Sequence, residues 1–111
     1  MKRTSLGELE ELILLIIGVI KDEAYGVAIT QMLEQETGRA VDFSTVHTTL
    51  KRLEEKAFVK SLMAGATAER GGRRKRYFSI TSYGHKVLRE SQEIRTRLWS
   101  QMPMKLNTKS I

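Results

Sequence analysis

Directly after an amphipathic helix, the sequence continues into two strand-like segments, and this succession leaves few folds open. The pattern predicts the helix over residues 43–56 and the strands over residues 59–63 and 73–80. Residues 70–76 carry five cations around a pair of glycines, which is typical of a loop joining the strands of a β-hairpin. A helix next to a charged hairpin is the layout of a winged helix-turn-helix. The predicted fold class is therefore mainly α with a small β-hairpin.

Three further helices complete the predicted fold. The first covers residues 6–20, and its second half is apolar on all sides, as in a helix at the centre of a core. The second covers residues 25–37 and ends at Gly38, the residue type that most often follows a helix. The last begins after Thr81, which is a good N-cap, and runs to about residue 102.

The helix predicted over residues 43–56 has two different faces. Its apolar stripe, formed by Val46, Leu50, Leu53 and Ala57, is predicted to face the core. The opposite face carries hydroxyls and cations from Ser44, Thr45, Thr48, Lys51 and Arg52. Such side chains bind phosphate oxygens and base edges. A solvated surface helix shows the same residue types, so the hairpin that follows is what favours nucleic acid.

The net charge of +6 is unevenly distributed along the chain. Residues 1–42 hold four Lys and Arg against eight Asp and Glu, whereas residues 43–111 hold fifteen against five. Clustered cations at a hairpin tip fit phosphates, and five of them within seven residues repel one another unless a polyanion is near. A solubilising turn is the less favoured alternative. The candidate hairpin contacts to DNA are Arg70, Arg73, Arg74 and Lys75.

The last predicted helix carries an apolar stripe that we expect to find no partner within the chain. Its predicted dimerisation residues are Val87, Leu88, Ile94, Leu98 and Met102. The simplest way to bury this stripe is against a second copy, which predicts a homodimer. Trp99 lies on the same helix and has two interpretations. It is either an anchor of the interface, which is favoured, or the wall of a pocket for a small aromatic effector.

Several kinds of chemistry are missing from the sequence. There is no cysteine, which excludes disulfides and thiolate metal sites and fits the predicted cytoplasmic location. No phosphate-binding glycine loop and no hydrolase or metalloprotease motif occurs, and His47 and His85 stand alone. We therefore expect no enzyme activity, no catalytic residue, no metal and no cofactor. The uncharged run over residues 12–20 is too short to span a membrane, so no membrane partner is expected.

Three blocks of the sequence resemble the PadR-like family of bacterial transcriptional regulators, over about residues 6–88. Residues 24–29 are similar to the family's Tyr-Gly opening of its second helix. Residues 44–54 are similar to its Thr-Leu-Tyr-x-x-Leu-x-Arg-Leu-Glu run. Residues 71–84 are similar to its Gly-Arg-x-x-Lys-Tyr-Tyr-x-Leu-Thr-x-x-Gly run.

The resemblance implies a homodimeric winged helix-turn-helix repressor of the smaller subgroup with one C-terminal helix. Residues 1–81 would form the DNA-binding domain, and residues 82–111 the dimerisation helix and tail. The implied DNA contacts are Thr45, Thr48, Lys51 and Arg52, with Arg73, Arg74 and Lys75 in the wing. Phenolic or drug-like ligands relieve binding in some members. His47 replaces the usual tyrosine and Thr48 a common proline, so the base readout is expected to differ.

The sequence therefore predicts a DNA-binding repressor that reads an inverted repeat as a homodimer. Its expected partners are double-stranded DNA, a second copy of the chain and a small aromatic ligand. The alternative is a winged-helix protein-interaction module without operator binding, which would work through the acidic N-terminal region and the last helix. A membrane-surface protein ranks last, because no helix of the basic segment pairs cations with large apolar groups.

Overall fold

The computed structural model describes residues 6–64 and 74–103, and within them the predicted fold class is confirmed. The helices are α1 (Glu8–Ile20), α2 (Gly26–Thr37), α3 (Phe43–Glu55) and α4 (Ser82–Gln101). A 3₁₀ turn, Lys21–Glu23, joins α1 to α2. The strands β1 (Val59–Ala64) and β2 (Lys75–Ile80) form a two-stranded antiparallel sheet. This order of helices and strands is a winged helix with one additional C-terminal helix.

Local sequence signals set three of the helix ends. The Gly7 amide donates to the Glu10 Oε1 atom at 2.9 Å, which satisfies one unpaired donor at the start of α1. Gly38 ends α2 in the left-handed conformation, with φ of +73°. The Thr81 hydroxyl accepts from the Gly84 amide at 2.9 Å and caps α4. The predictions made for Gly38 and Thr81 are confirmed.

The end of α3 differs from the prediction. Ala57 was expected to face the core from the helix, and this prediction is wrong, because α3 ends at Glu55 and Ala57 is exposed. Ala57 has φ of +66°, and the following Phe58 amide donates to the Leu53 carbonyl at 2.9 Å. This bonding is that of a Schellman motif, in which the left-handed residue is usually glycine. It turns the chain from α3 directly into β1.

The core is built around α1, which packs against α2, α3, β2 and α4. Ile13, Leu14 and Ile17 of α1 are almost fully buried. The opposing helices contribute Ile29, Leu33, Val46, Leu50 and Leu53. The second half of α1 is nevertheless not enclosed on every side, because Leu15 and Val19 are exposed in the single chain.

The hairpin is attached to the helices through β2. Its strands pair from Val59 opposite Ile80 to Ala64 opposite Lys75. On its other edge, β2 forms an isolated bridge between Tyr77 and Tyr25. The Phe78 amide also donates to the Ala24 carbonyl at 2.8 Å. The short segment before α2 therefore acts as a third, minimal strand that holds the hairpin in place.

The first half of α4 belongs to the same core. Val87 and Leu88 are only 8% and 7% exposed. The expectation that they lack a partner within the chain is therefore wrong, because they pack into the monomer's own core. Within the described part of the chain, no helix is long and apolar enough to cross a membrane.

One junction, at Phe58, brings α3, β1 and α4 together. The Phe58 carbonyl accepts from the Thr81 amide at 3.0 Å and from the Thr81 hydroxyl at 3.2 Å. Gly84 lies so close to it that a Cβ atom there would be 2.1 Å from the Phe58 carbonyl oxygen. The Phe58 ring also packs at 5.2 Å from the Tyr83 ring.

Candidate nucleic-acid interface

The outer face of α3 presents every polar side chain that the sequence predicted for it. All five are exposed, and they are Ser44, Thr45, Thr48, Lys51 and Arg52. Four of them, all except Lys51, border one shallow surface depression together with Thr49. The structure therefore brings most of the predicted helix contacts into a single polar patch beside one cation, Arg52.

Buried groups on the inner side of α3 fix the orientation of this patch. Val46, Leu50 and Leu53 are buried against α1 and α2, as predicted. Thr49 is also buried, and its hydroxyl donates to the Thr45 carbonyl at 2.8 Å, so no polar atom of its side chain is left unpaired. The helix therefore presents its hydroxyls and cations outward.

A cleft separates α3 from the hairpin. Its floor is apolar, from Leu50 of α3 and Phe78 of β2. Its rim is polar and charged and is formed by His47, Lys51, Glu54 and Arg76. Three of these four rim residues are exposed bases or cations, so an anionic backbone is the chemistry that fits here.

A chain of side-chain hydrogen bonds crosses that cleft. Arg76 Nη1 donates to the Ser61 Oγ atom at 2.8 Å, and Ser61 Oγ donates to Glu54 Oε2 at 2.7 Å. One residue each from β2, β1 and α3 is thereby joined. The Glu54 carboxylate is turned toward the hairpin, where Ser61 and Arg76 partly balance its negative charge. Sequence reasoning did not single out Arg76 or Ser61 for this role, because the two lie 15 residues apart.

The cations of the hairpin base point to different sides. Side chains alternate along a strand, so Arg76 and Phe78 share one face of β2, and Lys75 and Tyr77 share the other. Arg76 and Phe78 line the cleft beside α3. The Lys75 ammonium instead lies 4.1 Å from the centroid of the Tyr25 ring. Arg74 is exposed.

Two of the predicted hairpin contacts, Arg70 and Arg73, lie outside the described residues. His47 is exposed on α3, and its ring stacks at 6.2 Å on the Phe43 ring one turn earlier. This stacking holds His47 at the rim of the cleft, where its sequence position alone left open whether it packs or faces outward.

The cation at the end of α3 is held by α1. Lys56 Nζ lies 3.0 Å from Glu10 Oε2, and Glu10 is buried. Burial raises the pKa of the Glu10 carboxyl, but the Gly7 amide bond, the Lys56 ammonium and the nearby Arg52 charge lower it further. The net pKa is below the ordinary value of 4.5. Lys56 therefore neutralises a buried carboxylate, and its ammonium is paired with α1.

The second half of α4 exposes the remaining apolar residues of the predicted dimerisation stripe. They are Ile94 and Leu98, and Met102 is exposed directly after the helix end. Trp99 is 73% exposed, so within the part of the chain that the structure describes its ring lines no closed pocket. Within residues 6–64 and 74–103, no group of three or more His, Cys, Asp or Glu side chains is placed to hold a metal ion.

The fold and its polar outer face define a winged helix-turn-helix protein. The model of the transcriptional regulator PadR-like family matches residues 13–90, and this chain belongs to that family. The resemblance read from the sequence is thereby confirmed. Since the family consists of transcriptional regulators, the chain is a regulator and not an enzyme. A search of the curated proteins finds no match.

Several solved structures share the fold. A PadR-like transcription factor from Bacteroides fragilis has a TM-score of 0.68 at 25% identity, over 83% of this chain and 84% of its own. A PadR family regulator from hypervirulent Clostridium difficile R20291 has a TM-score of 0.64 at 24% identity, over 85% and 93%. The complex structure of hsRosR-S4 has a TM-score of 0.68 at 21% identity, over 88% and 77%.

Proposed function

We propose that this chain is a repressor that binds an inverted-repeat operator in double-stranded DNA as a homodimer. The observation that carries this proposal is the outward face of α3, whose hydroxyls and cations lie beside a cleft rimmed by hairpin cations. Ser44, Thr45 and Thr48 are proposed to reach base edges from the major groove. Lys51, Arg52, Arg74 and Arg76 are proposed to bind the flanking phosphates.

The hairpin is proposed to follow the DNA backbone next to the groove that α3 enters. Arg70 and Arg73 remain proposed contacts on the basis of their sequence position. Lys75 is assigned a different task from the one first predicted, because its ammonium lies over the Tyr25 ring. Lys75 is proposed to hold the base of the hairpin in place. Among the four hairpin contacts predicted from the sequence, its direct contribution to DNA binding is proposed to be the smallest.

The homodimer is proposed to form through the second half of α4. Ile94 and Leu98 are exposed there, with Met102 directly after the helix end, and a stripe of this kind is buried most simply against its own copy. Val87 and Leu88 support the interface from the core side. The proposed division places DNA binding in residues 1–81 and dimerisation in residues 82–111.

Trp99 is proposed to be an anchor of that interface. Its large exposed ring supports this role, since tryptophan is enriched where subunits meet. A small aromatic effector that releases DNA would bind beside it at the interface. Titration of phenolic compounds against Trp99 fluorescence tests this, because a ring packed between two subunits keeps its emission when no ligand enters.

The test of the function is a titration onto a labelled fragment from the region upstream of the protein's own coding sequence. Random DNA serves as competitor, and salt varies from about 50 to about 200 mM, a range over which phosphate binding falls by orders of magnitude. We expect complexes that resist random competitor, and we expect Arg52→Ala to weaken them. Lys86→Ala is the matched control, since it removes the same charge from exposed α4 surface.

Two results would contradict the proposal. Equal loss to any competitor DNA would show a nonspecific polyanion binder. No binding even at the lowest salt would favour the protein-interaction module that uses the same fold without an operator.

A further inference from the structure

A buried carboxylate on α1 is bonded almost entirely by α4. The Glu11 side chain is only 8% exposed. Its Oε2 atom accepts from the Ser91 hydroxyl, from Gln92 Nε2 at 3.5 Å and from Arg95 Nε at 3.2 Å. Its Oε1 atom lies 3.0 Å from Arg95 Nη2. Three residues within two turns of α4 are therefore bound to one side chain.

The position of this cluster along α4 gives it a mechanical importance. Upstream of it, Gly84, Val87 and Leu88 hold the helix on the core. Downstream of Arg95, among the described residues, no hydrogen bond or ion pair joins α4 to another element. The exposed Leu98 and Trp99 lie in that free part. Glu11 is thus the last polar attachment before the helix leaves the body of the protein.

We propose that Glu11 is a positioning residue that sets the direction of the free half of α4, and through it the distance between the two α3 helices of the homodimer. This inference rests on the dimer of the proposed function. A carboxylate approached by two nitrogens of the Arg95 guanidinium holds its partner in a defined orientation as well as at a defined distance. Loss of the cluster would let α4 pivot about Leu88.

The length of α4 beyond Leu88 shows why a small rotation of the helix matters. From Leu88 to Gln101, α4 is about 20 Å long at about 1.5 Å per residue. A tilt of about 10° moves its end by about 3 Å. That displacement is close to one base-pair step of about 3.4 Å. In a homodimer, such a tilt of α4 would therefore move the two α3 helices out of register with the half-sites of a fixed operator.

The absence of cysteine from the chain makes a direct distance measurement practical. Glu55→Cys places a single spin label on the exposed end of α3, outside the proposed base contacts. Pulsed dipolar spectroscopy then measures the separation of the two α3 helices in the full-length dimer. The variants are Arg95→Ala and Glu11→Gln. Arg97→Ala is the matched control, because it removes the same charge two residues further along α4.

We expect Arg95→Ala to shift the mean distance by about 3 Å or to broaden its distribution by a similar amount. Glu11→Gln, which keeps the shape of the side chain, is expected to broaden it less, and Arg97→Ala is expected to leave it unchanged. Because Arg95 is 60% exposed, its truncation leaves no buried cavity, and thermal unfolding of each variant verifies the fold.

Failure of the positioning role and failure of the homodimer would give different results. A parent distribution that neither Arg95→Ala nor Glu11→Gln changes would overturn the positioning role of Glu11 while leaving the dimer intact. Absence of any dipolar signal in the parent chain would overturn the homodimer itself, and the inference with it.

Discussion

The Lys75 ammonium lies 4.1 Å from the centroid of the Tyr25 ring, and this contact ties the hairpin to the start of α2. The same tyrosine meets Tyr77 edge to face at 5.5 Å and pairs with it through a β-bridge. Cation–π contacts at exposed sites contribute about 0.5–1 kcal/mol, enough to bias the position of a short hairpin. Two neighbouring cations of β2, Lys75 and Arg76, are thereby given different tasks.

This difference predicts unequal effects of two single-charge deletions on DNA binding. A plot of log K against log salt has a negative slope, and Arg76→Ala should make it shallower by about 0.9, the value for one lost phosphate contact. Lys75→Ala should change the slope less, because its ammonium faces Tyr25 on the other side of the hairpin. Fluorescence anisotropy at several salt concentrations measures both. Equal slopes for the two variants would show that the strand faces do not separate their roles.

The hydroxyl face of α3 predicts a change in sequence preference. Thr48→Ala should alter the ranking of single-base variants of the operator, with little change in the salt slope, because the threonine carries no charge. Thr48→Ser keeps the hydroxyl and is the control expected to preserve the ranking. If the alanine variant also ranks all operators as the parent does, Thr48 is not a base contact.

The left-handed residues at two helix ends, Ala57 and Gly38, predict opposite effects of substitution on the free energy of unfolding. Ala57 has φ of +66°, where a Cβ atom costs about 1–2 kcal/mol, so Ala57→Gly should raise stability by up to about 1 kcal/mol after glycine's added chain entropy is subtracted. Gly38 has φ of +73° and open space around it, so Gly38→Ala should cost about 1 kcal/mol through backbone strain alone. Urea unfolding of both variants measures this, and effects of the same sign would refute the left-handed assignment.

The lowered pKa of Glu10 predicts how acid affects stability. Since the folded chain favours the charged carboxylate, its contribution is fully present above the ordinary pKa of 4.5 and is lost as pH falls through the lower folded value. Glu10→Gln should therefore have a lower Tm than the parent at neutral pH. The difference in Tm between the two proteins should become smaller as the solution is acidified. Glu8→Gln, which removes an exposed carboxylate from the same turn, is the control and is expected to lower the Tm less at neutral pH.

The close approach of Gly84 to Phe58 predicts that one added methyl group at this position destabilises the fold. Gly84→Ala would place a Cβ atom 2.1 Å from the Phe58 carbonyl oxygen, so α4 must move away from Phe58 at a cost of about 1–3 kcal/mol. Gly18→Ala is the control, because its Cβ would meet Ile80 at an ordinary 3.5 Å within α1. That change should be neutral or stabilising by up to about 1 kcal/mol. Thermal unfolding distinguishes the two.

Local signals made much of the fold predictable. The stripe of Val46, Leu50 and Leu53, the stop at Gly38 and the cap at Thr81 each depend on residues within one or two turns. The outer face of α3 followed from the same periodicity. These features required no knowledge of what packs against them.

Contacts between distant residues were the part that could not be read from the sequence. Val87 and Leu88 looked unpartnered because nothing in their own helix shows that its first turns lie on the core. Glu10 and Glu11 pair with Lys56 and Arg95, which are 46 and 84 residues away, so nothing near them in the sequence marks these pairs. Buried charges of this kind depend on geometry that periodicity does not encode.

The junction at Phe58 leaves no independent linker, in the described part of the chain, between the helix proposed to read DNA and the helix proposed to join two subunits. A homodimer built this way recognises two half-sites as one rigid unit. Inserting one base pair between them rotates one half-site by about 35° as well as displacing it. An operator is then expected to lose binding through a change in the number of base pairs between its half-sites as readily as through a change in a contacted base. Short insertions and deletions in a promoter are therefore expected to be a main route by which a gene escapes this regulator.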